Sequence, residues 1–347
     1  MKRYIQYIID NTIETETNLI VQTRSWGDLC DWLGLEDEKN DKSLVWEAYF
    51  IYDLELMAKM ATVLGKVTDA EWFRELHAAR KDFFNKTYIE PETGKTLFSA
   101  FVPEKKGSHI DIQTSYVLPL AFNIIDEENR NKVIANLAET VRRENTTDRG
   151  QQCPSYSLMT GFIGTSWINK ALSDYGHSDL AYRLLQQTSY PSWLYSIEQG
   201  ATTIWERLNS YTRTDGFGGN NRMNSFNHYS FGAVGAWMYN YSLGIQRDET
   251  FPGFKQFVLK PMPDPTGKMT YARGYYDSMY GRIESGWKVE SGVIRYTFTV
   301  PANTTATLYL PTASLRDVRE KTKPVRKCKG VEFISEGNGE VVLKLLS

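Results

Sequence analysis

The chain has 347 residues, 41% hydrophobic and 24% charged, which is enough apolar material for buried cores without any run of membrane-spanning length. Forty basic residues stand against 42 acidic ones, a formal net charge of −2. That balance excludes the phosphate-neutralising surface on which nucleic-acid binding depends, and with no membrane-length run neither nucleic acid nor a membrane is expected as a partner. The length suits roughly two domains. Cys30, Cys153 and Cys328 are odd in number and widely spaced, which reads as unpaired thiols and not as a metal site or disulfide framework.

In chain order, Met1-Lys-Arg-Tyr-Ile-Gln-Tyr-Ile-Ile9 lacks the long apolar core and small-residue cleavage site of a secretory signal and reads as helix. It assigns no compartment. Residues 26–41 are acidic and aromatic; Trp26 and Trp32 inside an acidic run suit a planar ligand, with Asp28 and Asp31 as candidate contacts to sugar hydroxyls. Their spacing departs from a calcium-loop pattern, and no metal is assigned. The segment 44–64, between Ser43 and Gly65, is apolar on nearly all sides and predicts a helix surrounded by others. Thr68-Asp-Ala-Glu71 has the form of a capping box opening a helix with Trp72, Phe73, Leu76, Ala79 and Phe83 on one face. Further helices are predicted at about 111–125, 127–142, 161–174, 179–187 and 228–241. Buried helices alternating with amphipathic ones point to concentric rings of helices, although a plain bundle has the same period.

After Phe251-Pro-Gly253 the period becomes two: Ile294, Tyr296, Phe298 and Val300 alternate with polar residues, as do Ala306, Leu308 and Leu310. With Glu290-Ser-Gly292 and Glu336-Gly-Asn-Gly339 as hairpin loops, residues 251–347 read as an antiparallel β-sandwich following a helical domain over 1–250.

Between Tyr190 and Tyr229, aromatic and polar residues alternate without a helical stripe. Glu206 follows Ile204 and Trp205, so its carboxylate is expected to be partly desolvated, which raises its affinity for a proton. Flat rings such as Trp205 complement the C–H faces of sugars. On residue type alone, the favoured reading of Glu206 beside Arg207 is a solvated surface charge, and of His228 a helix cap or a satisfied core hydrogen bond. The loop Asp215-Gly-Phe-Gly-Gly-Asn-Asn221 lacks the order of a phosphate cradle and suits the rim of a pocket. Asp111 stands at a helix start, where capping competes with function.

Eight blocks in order carry a resemblance. They are Asp31-Trp-Leu33, Ala48-Tyr-Phe50 through Leu64-Gly65, Gln113-Thr-Ser-Tyr-Val-Leu-Pro-Leu120, Thr160-Gly-Phe-Ile-Gly-Thr165, Asp179-Leu-Ala-Tyr-Arg-Leu-Leu185, Tyr190-Pro-Ser-Trp-Leu194, Gly200-Ala-Thr-Thr-Ile-Trp-Glu-Arg207 and Met223-Asn-Ser-Phe-Asn-His228. Together they resemble the bacterial α-L-rhamnosidases. The resemblance implies an (α/α)6 barrel followed by a β-sandwich, and inverting hydrolysis of terminal α-L-rhamnosides with no cofactor. It puts the general base on Glu206 and a sugar contact on His228. The residues themselves add the expectation that Trp205, Trp32 and His228 shape the subsite and that Asp28 or Asp31 holds hydroxyls.

The family's general acid lies in an Arg-Asp-Glu-Arg type motif upstream of the Asp-Trp-Leu block, and this motif is absent from the 347 residues. The predicted helices also fall short of twelve. The expectation is therefore a partial (α/α)6 barrel, the C-terminal part of a rhamnosidase, associating with the missing part or with a second copy. The alternatives are a carbohydrate-binding or structural remnant without turnover, another sugar on the same fold, or an acid from inside the chain such as Glu36 or Asp37.

Overall fold

The computed structural model describes residues 1–22, 29–218 and 223–347, so Trp26, Asp28 and the tip of the loop containing Asn220 and Asn221 lie outside the described residues. The chain forms two compact units, Met1–Gly232 and Ala233–Ser347.

The first unit is helical: α1 (Lys2–Thr12), α2 (Lys42–Val63), α3 (Val67–Tyr88), α4 (Gln113–Ala121), α5 (Glu127–Arg142), α6 (Phe162–Thr165), α7 (Ile168–Asp174), α8 (Ser178–Leu185) and α9 (Trp193–Glu198). Short turns join α2 to α3, α4 to α5 and α7 to α8 as three helical hairpins. The first members touch in succession, α2 on α4 and α4 on α7, while α5 meets α8 behind them. Burial follows that layering: Gln113 to Leu120 of α4 are all buried, whereas α5 buries one face through Val133, Leu137, Ala138 and Val141. This is an arc of inner and outer helices, as the alternation of apolar and amphipathic segments predicts.

Several local expectations need correction. Thr68-Asp-Ala-Glu71 is not a capping box: α3 begins at Val67, with Lys66 before it and no side-chain cap, so Thr68 is already helical. Gly65 turns the chain at φ +67°, and Ala70 N–H already bonds to Lys66 C=O at 2.9 Å, starting the helix ahead of the threonine. Helix α2 is capped by Asp41, whose Oδ1 accepts from Ser43 N–H while Oδ2 accepts from Ser99 N–H. The helix expected over 111–125 is shorter, and Asp111 does not cap it. Asp111 takes φ +51° and accepts from the Tyr116 hydroxyl and the Arg143 guanidinium, which hold its carboxyl below the usual range against the opposing pull of burial.

The second unit opens with α10 (Val234–Trp237) between a 3-10 turn and a π turn, in place of one helix over 228–241. Its larger sheet contains β-strands Ile245–Arg247, Gln256–Leu259, Thr305–Leu310, Val331–Gly337 and Glu340–Leu346; a second sheet contains Tyr271–Ser278, Gly281–Glu290 and Val293–Thr299. Phe257, Leu259, Ile283, Ala306, Leu308, Val341 and Leu343 form the core between them, giving a sandwich. Both hairpin loops form as read: Ser291/Gly292 and Asn338/Gly339 all have positive φ, the backbone of two-residue turns that match strand twist. The larger sheet is mixed and not purely antiparallel, because Gln256–Leu259 runs parallel to Thr305–Leu310. A parallel pair needs a long crossover, which here is the whole three-stranded sheet.

All three cysteines are free, as their spacing suggested. Among the described residues no helix is long and apolar enough to cross a membrane.

Candidate functional site

The site expected around Glu206 is built by two segments lying side by side. His228 N–H donates to Ile204 C=O at 2.8 Å, Glu206 N–H donates to Ser225 C=O at 2.8 Å, and the Thr203 hydroxyl bonds to Phe226 C=O. Neither segment is regular secondary structure, so these bonds fix the backbone that carries the side chains. The arrangement puts Trp205, Glu206 and His228 on adjoining strips of chain.

Glu206 is 7% exposed, so it is not a solvated surface charge. Its Oε2 accepts from Ser225 N–H at 2.8 Å, and among the described residues Oε1 takes no hydrogen bond. Arg207 turns elsewhere, its Nε donating to Met223 C=O at 3.1 Å. One carboxylate oxygen is thus fixed by the backbone and the other is left for a water or a hydroxyl. Trp205, also buried, packs edge-on against Phe226 with ring centroids 5.3 Å apart, and Phe226 meets Phe217 at 5.8 Å.

His228 stacks on Phe162 with centroids 4.7 Å apart and planes 29° from parallel, and on Tyr229 at 5.5 Å. Ser230 N–H approaches its Nδ1 at 3.4 Å, a contact that Nδ1 can accept only when the ring's proton is on Nε2. Nε2–H is then a donor suited to a sugar oxygen.

Phe162 leads to the second expected cluster. Its N–H donates to Trp32 C=O at 2.9 Å, and Trp32 itself is 38% exposed, an accessible ring beside the Phe162 turn. Asp31 is 1% exposed and wholly engaged with its own chain. Its Oδ1 accepts from Ile163 N–H at 2.8 Å and Gly164 N–H at 2.9 Å, and its Oδ2 from Gly161 N–H at 2.8 Å and the Thr114 hydroxyl. Burial pushes its carboxyl up to about 6, opposed by those same donors. Asp28, the other aspartate expected to hold hydroxyls, lies outside the described residues. Of the residues expected to form the site, the structure links Trp32, Asp31, Trp205, Glu206 and His228 through contacts that pass by way of Phe162 and Ile204.

Phe162 was not singled out by residue type, and Thr114 only as the end of the helix-start run Asp111-Ile-Gln-Thr114, although both lie in blocks of the resemblance. The signal was the pair of glycines around Phe162. A Cβ on Gly161 would lie 2.3 Å from the carbonyl oxygens of Asp31 and Trp32 and 2.4 Å from Gly34 N. Only glycine lets the two backbones approach so closely. Gly161→Ala is accordingly expected to cost about 1–3 kcal/mol or more, read from urea denaturation, because the obstructing atoms are backbone and cannot swing away. A midpoint unchanged from wild type would contradict this packing.

Glu36 and Asp37, the alternative acids, lie around a small cleft with Asp31, Asn40, Ile112, Gln113 and Met159. Burial pushes Glu36 up to about 7, against the nearby charges of Lys39, whose Nζ is 3.5 Å away, and Arg143. The folded state therefore holds this proton more tightly than the unfolded chain, whose glutamates titrate near 4.5. That contribution to stability is complete below the unfolded value and is lost as pH rises through about 7. Between about pH 6 and pH 8 it amounts to roughly 1 kcal/mol. Glu36→Gln should flatten the urea midpoint across this range; an unaltered slope would show that Glu36 titrates normally.

Among the described residues no group of three or more His, Cys, Asp or Glu is placed to hold a metal ion.

Comparison with known proteins agrees with this architecture. Residues 1–242 match the bacterial alpha-L-rhamnosidase six-hairpin glycosidase domain, so the helical unit is of the glycosidase class. Residues 244–324 match the bacterial alpha-L-rhamnosidase C-terminal domain, and the chain belongs to the bacterial α-L-rhamnosidase family. It is 37% identical over 281 residues to an alpha-L-rhamnosidase of Streptomyces avermitilis, covering 81% of this chain and 24% of that protein. To one from Formosa agariphila it is 32% identical over 323 residues, 91% of this chain and 32% of that one. Among solved structures, the Streptomyces avermitilis enzyme complexed with L-rhamnose superposes with a TM-score of 0.79 at 31% identity, covering 100% of this chain and 29% of that one. The Aspergillus terreus enzyme superposes at 0.74 with 27% identity, covering 99% of this chain and 36% of the other. The chain thus spans about a quarter to a third of the length of the relatives it matches.

Proposed function

We propose that this chain provides the water-activating side of a site that hydrolyses terminal α-L-rhamnosides. The observation that carries the reading is the Glu206 carboxylate, buried next to Trp205, with Oε2 held by Ser225 N–H and Oε1 without a partner among the described residues. A carboxylate so placed accepts a proton from water as the oxygen attacks the anomeric carbon. His228 Nε2–H donates to a sugar oxygen, and the Trp205 and Trp32 rings bound the apolar side of the sugar.

Inversion requires a second carboxylic acid about 6.5–9.5 Å from the base, protonating the leaving oxygen from the opposite side. The Arg-Asp-Glu-Arg motif that carries it in the family is absent from residues 1–347, and we assign the acid to polypeptide outside these residues. The chain alone should then bind L-rhamnose in calorimetry and release no product from an aryl α-L-rhamnoside. Steady hydrolysis by the chain alone would instead place the acid within it, and Glu36, protonated near neutral pH, would be the first residue to replace. Absence of any L-rhamnose binding would remove the sugar site.

A further inference from the structure

Asp31 was expected to hold a sugar hydroxyl, yet all its hydrogen-bonding capacity towards the described residues faces inward. Three backbone N–H groups of the turn Gly161–Gly164 converge on its two oxygens, joined by the Thr114 hydroxyl from the inner helix α4. A carboxylate accepting three backbone amides fixes that turn more tightly than neutral acceptors would. The return bond runs from Phe162 N–H to Trp32 C=O, so the turn is clamped from both sides by consecutive residues. The Phe162 ring leaves this clamp to stack on His228 at 4.7 Å and to meet Phe231 edge-on at 5.3 Å.

We infer that Asp31 is a positioning residue, setting the Phe162 ring on which the His228 imidazole rests and thereby the direction of Nε2–H. The part of this that concerns sugar binding rests on the reading of the site given above; the placement of the imidazole does not. Two consequences follow. Loss of the carboxylate should tilt or release the Phe162 ring before it disturbs Glu206, whose own backbone bonds run to Ser225. And the effect should pass through Thr114, which among the described residues makes no hydrogen bond to His228 or Glu206.

The experiment reads the imidazole signals of the chain by NMR. There are four histidines, and His228→Gln assigns the signal of interest. In wild type, stacking displaces the His228 ring protons upfield. Asp31→Asn should move them most of the way to the position of an unstacked imidazole. Thr114→Val, which removes one of the four bonds and is milder to the fold, should move them in the same direction by less, and Thr114→Ser, which keeps a hydroxyl, should restore them. Leu137→Ala, a core truncation in the outer helix α5, controls for general destabilisation and should leave them in place. Unmoved signals in Asp31→Asn overturn the inference; if that variant does not fold, unmoved signals in Thr114→Val do so. Calorimetry with L-rhamnose on the same variants is read separately, with about a tenfold weaker Kd expected for Asp31→Asn, equivalent to about 1.4 kcal/mol. Moved signals with an unchanged Kd would uphold the positioning role and overturn the sugar contact of His228 instead.

Discussion

Replacing Glu206 by Gln in any active polypeptide that includes these residues should lower turnover of an aryl α-L-rhamnoside by about 10²–10⁴-fold. Gln has the same shape, and its amide oxygen can still accept from Ser225 N–H, the bond that fixes Oε2 at 2.8 Å. The fold and the apolar surroundings therefore persist, while the carboxylate we propose to take the proton from water is gone. Because that proton moves only in the transition state, the loss should fall on kcat with KM little changed. A variant with turnover within a few-fold of wild type would remove Glu206 from the chemistry. A fall confined to KM would make it a ligand for a hydroxyl.

The second large effect is on stability and lies in the α2/α3 hairpin. Glu47 is fully buried and Arg80 nearly so. The guanidinium forks onto the carboxylate, Nε to Oε1 at 2.8 Å and a terminal nitrogen to Oε2. Two further donors go to Asn18 Oδ1 at 2.9 Å and Asn18 C=O at 3.1 Å, and the guanidinium carbon lies 4.5 Å from the Phe83 ring centroid. Breaking such a pair leaves a buried charge without compensation. Arg80→Met should cost about 3–5 kcal/mol in urea denaturation, much of it the penalty of stranding Glu47. Pairing it with Glu47→Leu should recover most of the loss, since two apolar side chains need no partners. If the single replacement costs less than about 1 kcal/mol, the pair is not the anchor of this hairpin.

Neither residue was visible as a pair in the sequence. Thirty-three positions separate Glu47 from Arg80, and only the antiparallel hairpin brings them together. By contrast, α2 was readable as a long apolar run that stops at Gly65, α5 because its apolar spacing repeats over several turns, and the two hairpin turns because positive φ favours residues such as Gly and Asn. The segment 161–174 shows where period alone fails. It was read as one helix and is two, α6 and α7, broken around Ser166 and Trp167; its start is set by Asp31, 130 positions away from Gly161 in the chain. The region 228–241 has apolar residues at helical spacing but folds as successive 3-10, α and π turns.

The same limit applies to the candidate site. Glu206, Trp205 and His228 stand out because aromatic and polar residues alternate there, and the ordered blocks gave them roles. What those blocks did not convey is that 203–206 and 225–228 hold one another by backbone bonds, which is how irregular chain acquires a fixed geometry. Nor did they separate Trp32, with an accessible ring, from Asp31, whose carboxylate is enclosed by its own fold. Adjacent residues in one motif face opposite environments, a distinction that burial makes and sequence does not.

The measurement that bears most directly on Glu206 as a water-activating base is the stereochemistry of the first product. In any active polypeptide that includes these residues, proton NMR of aryl α-L-rhamnoside hydrolysis, recorded before mutarotation proceeds, should show the β anomer of L-rhamnose appearing first if water activated by Glu206 attacks the face opposite the leaving group. Initial accumulation of the α anomer would mean a covalent intermediate and a nucleophilic carboxylate, and would contradict the role assigned to Glu206.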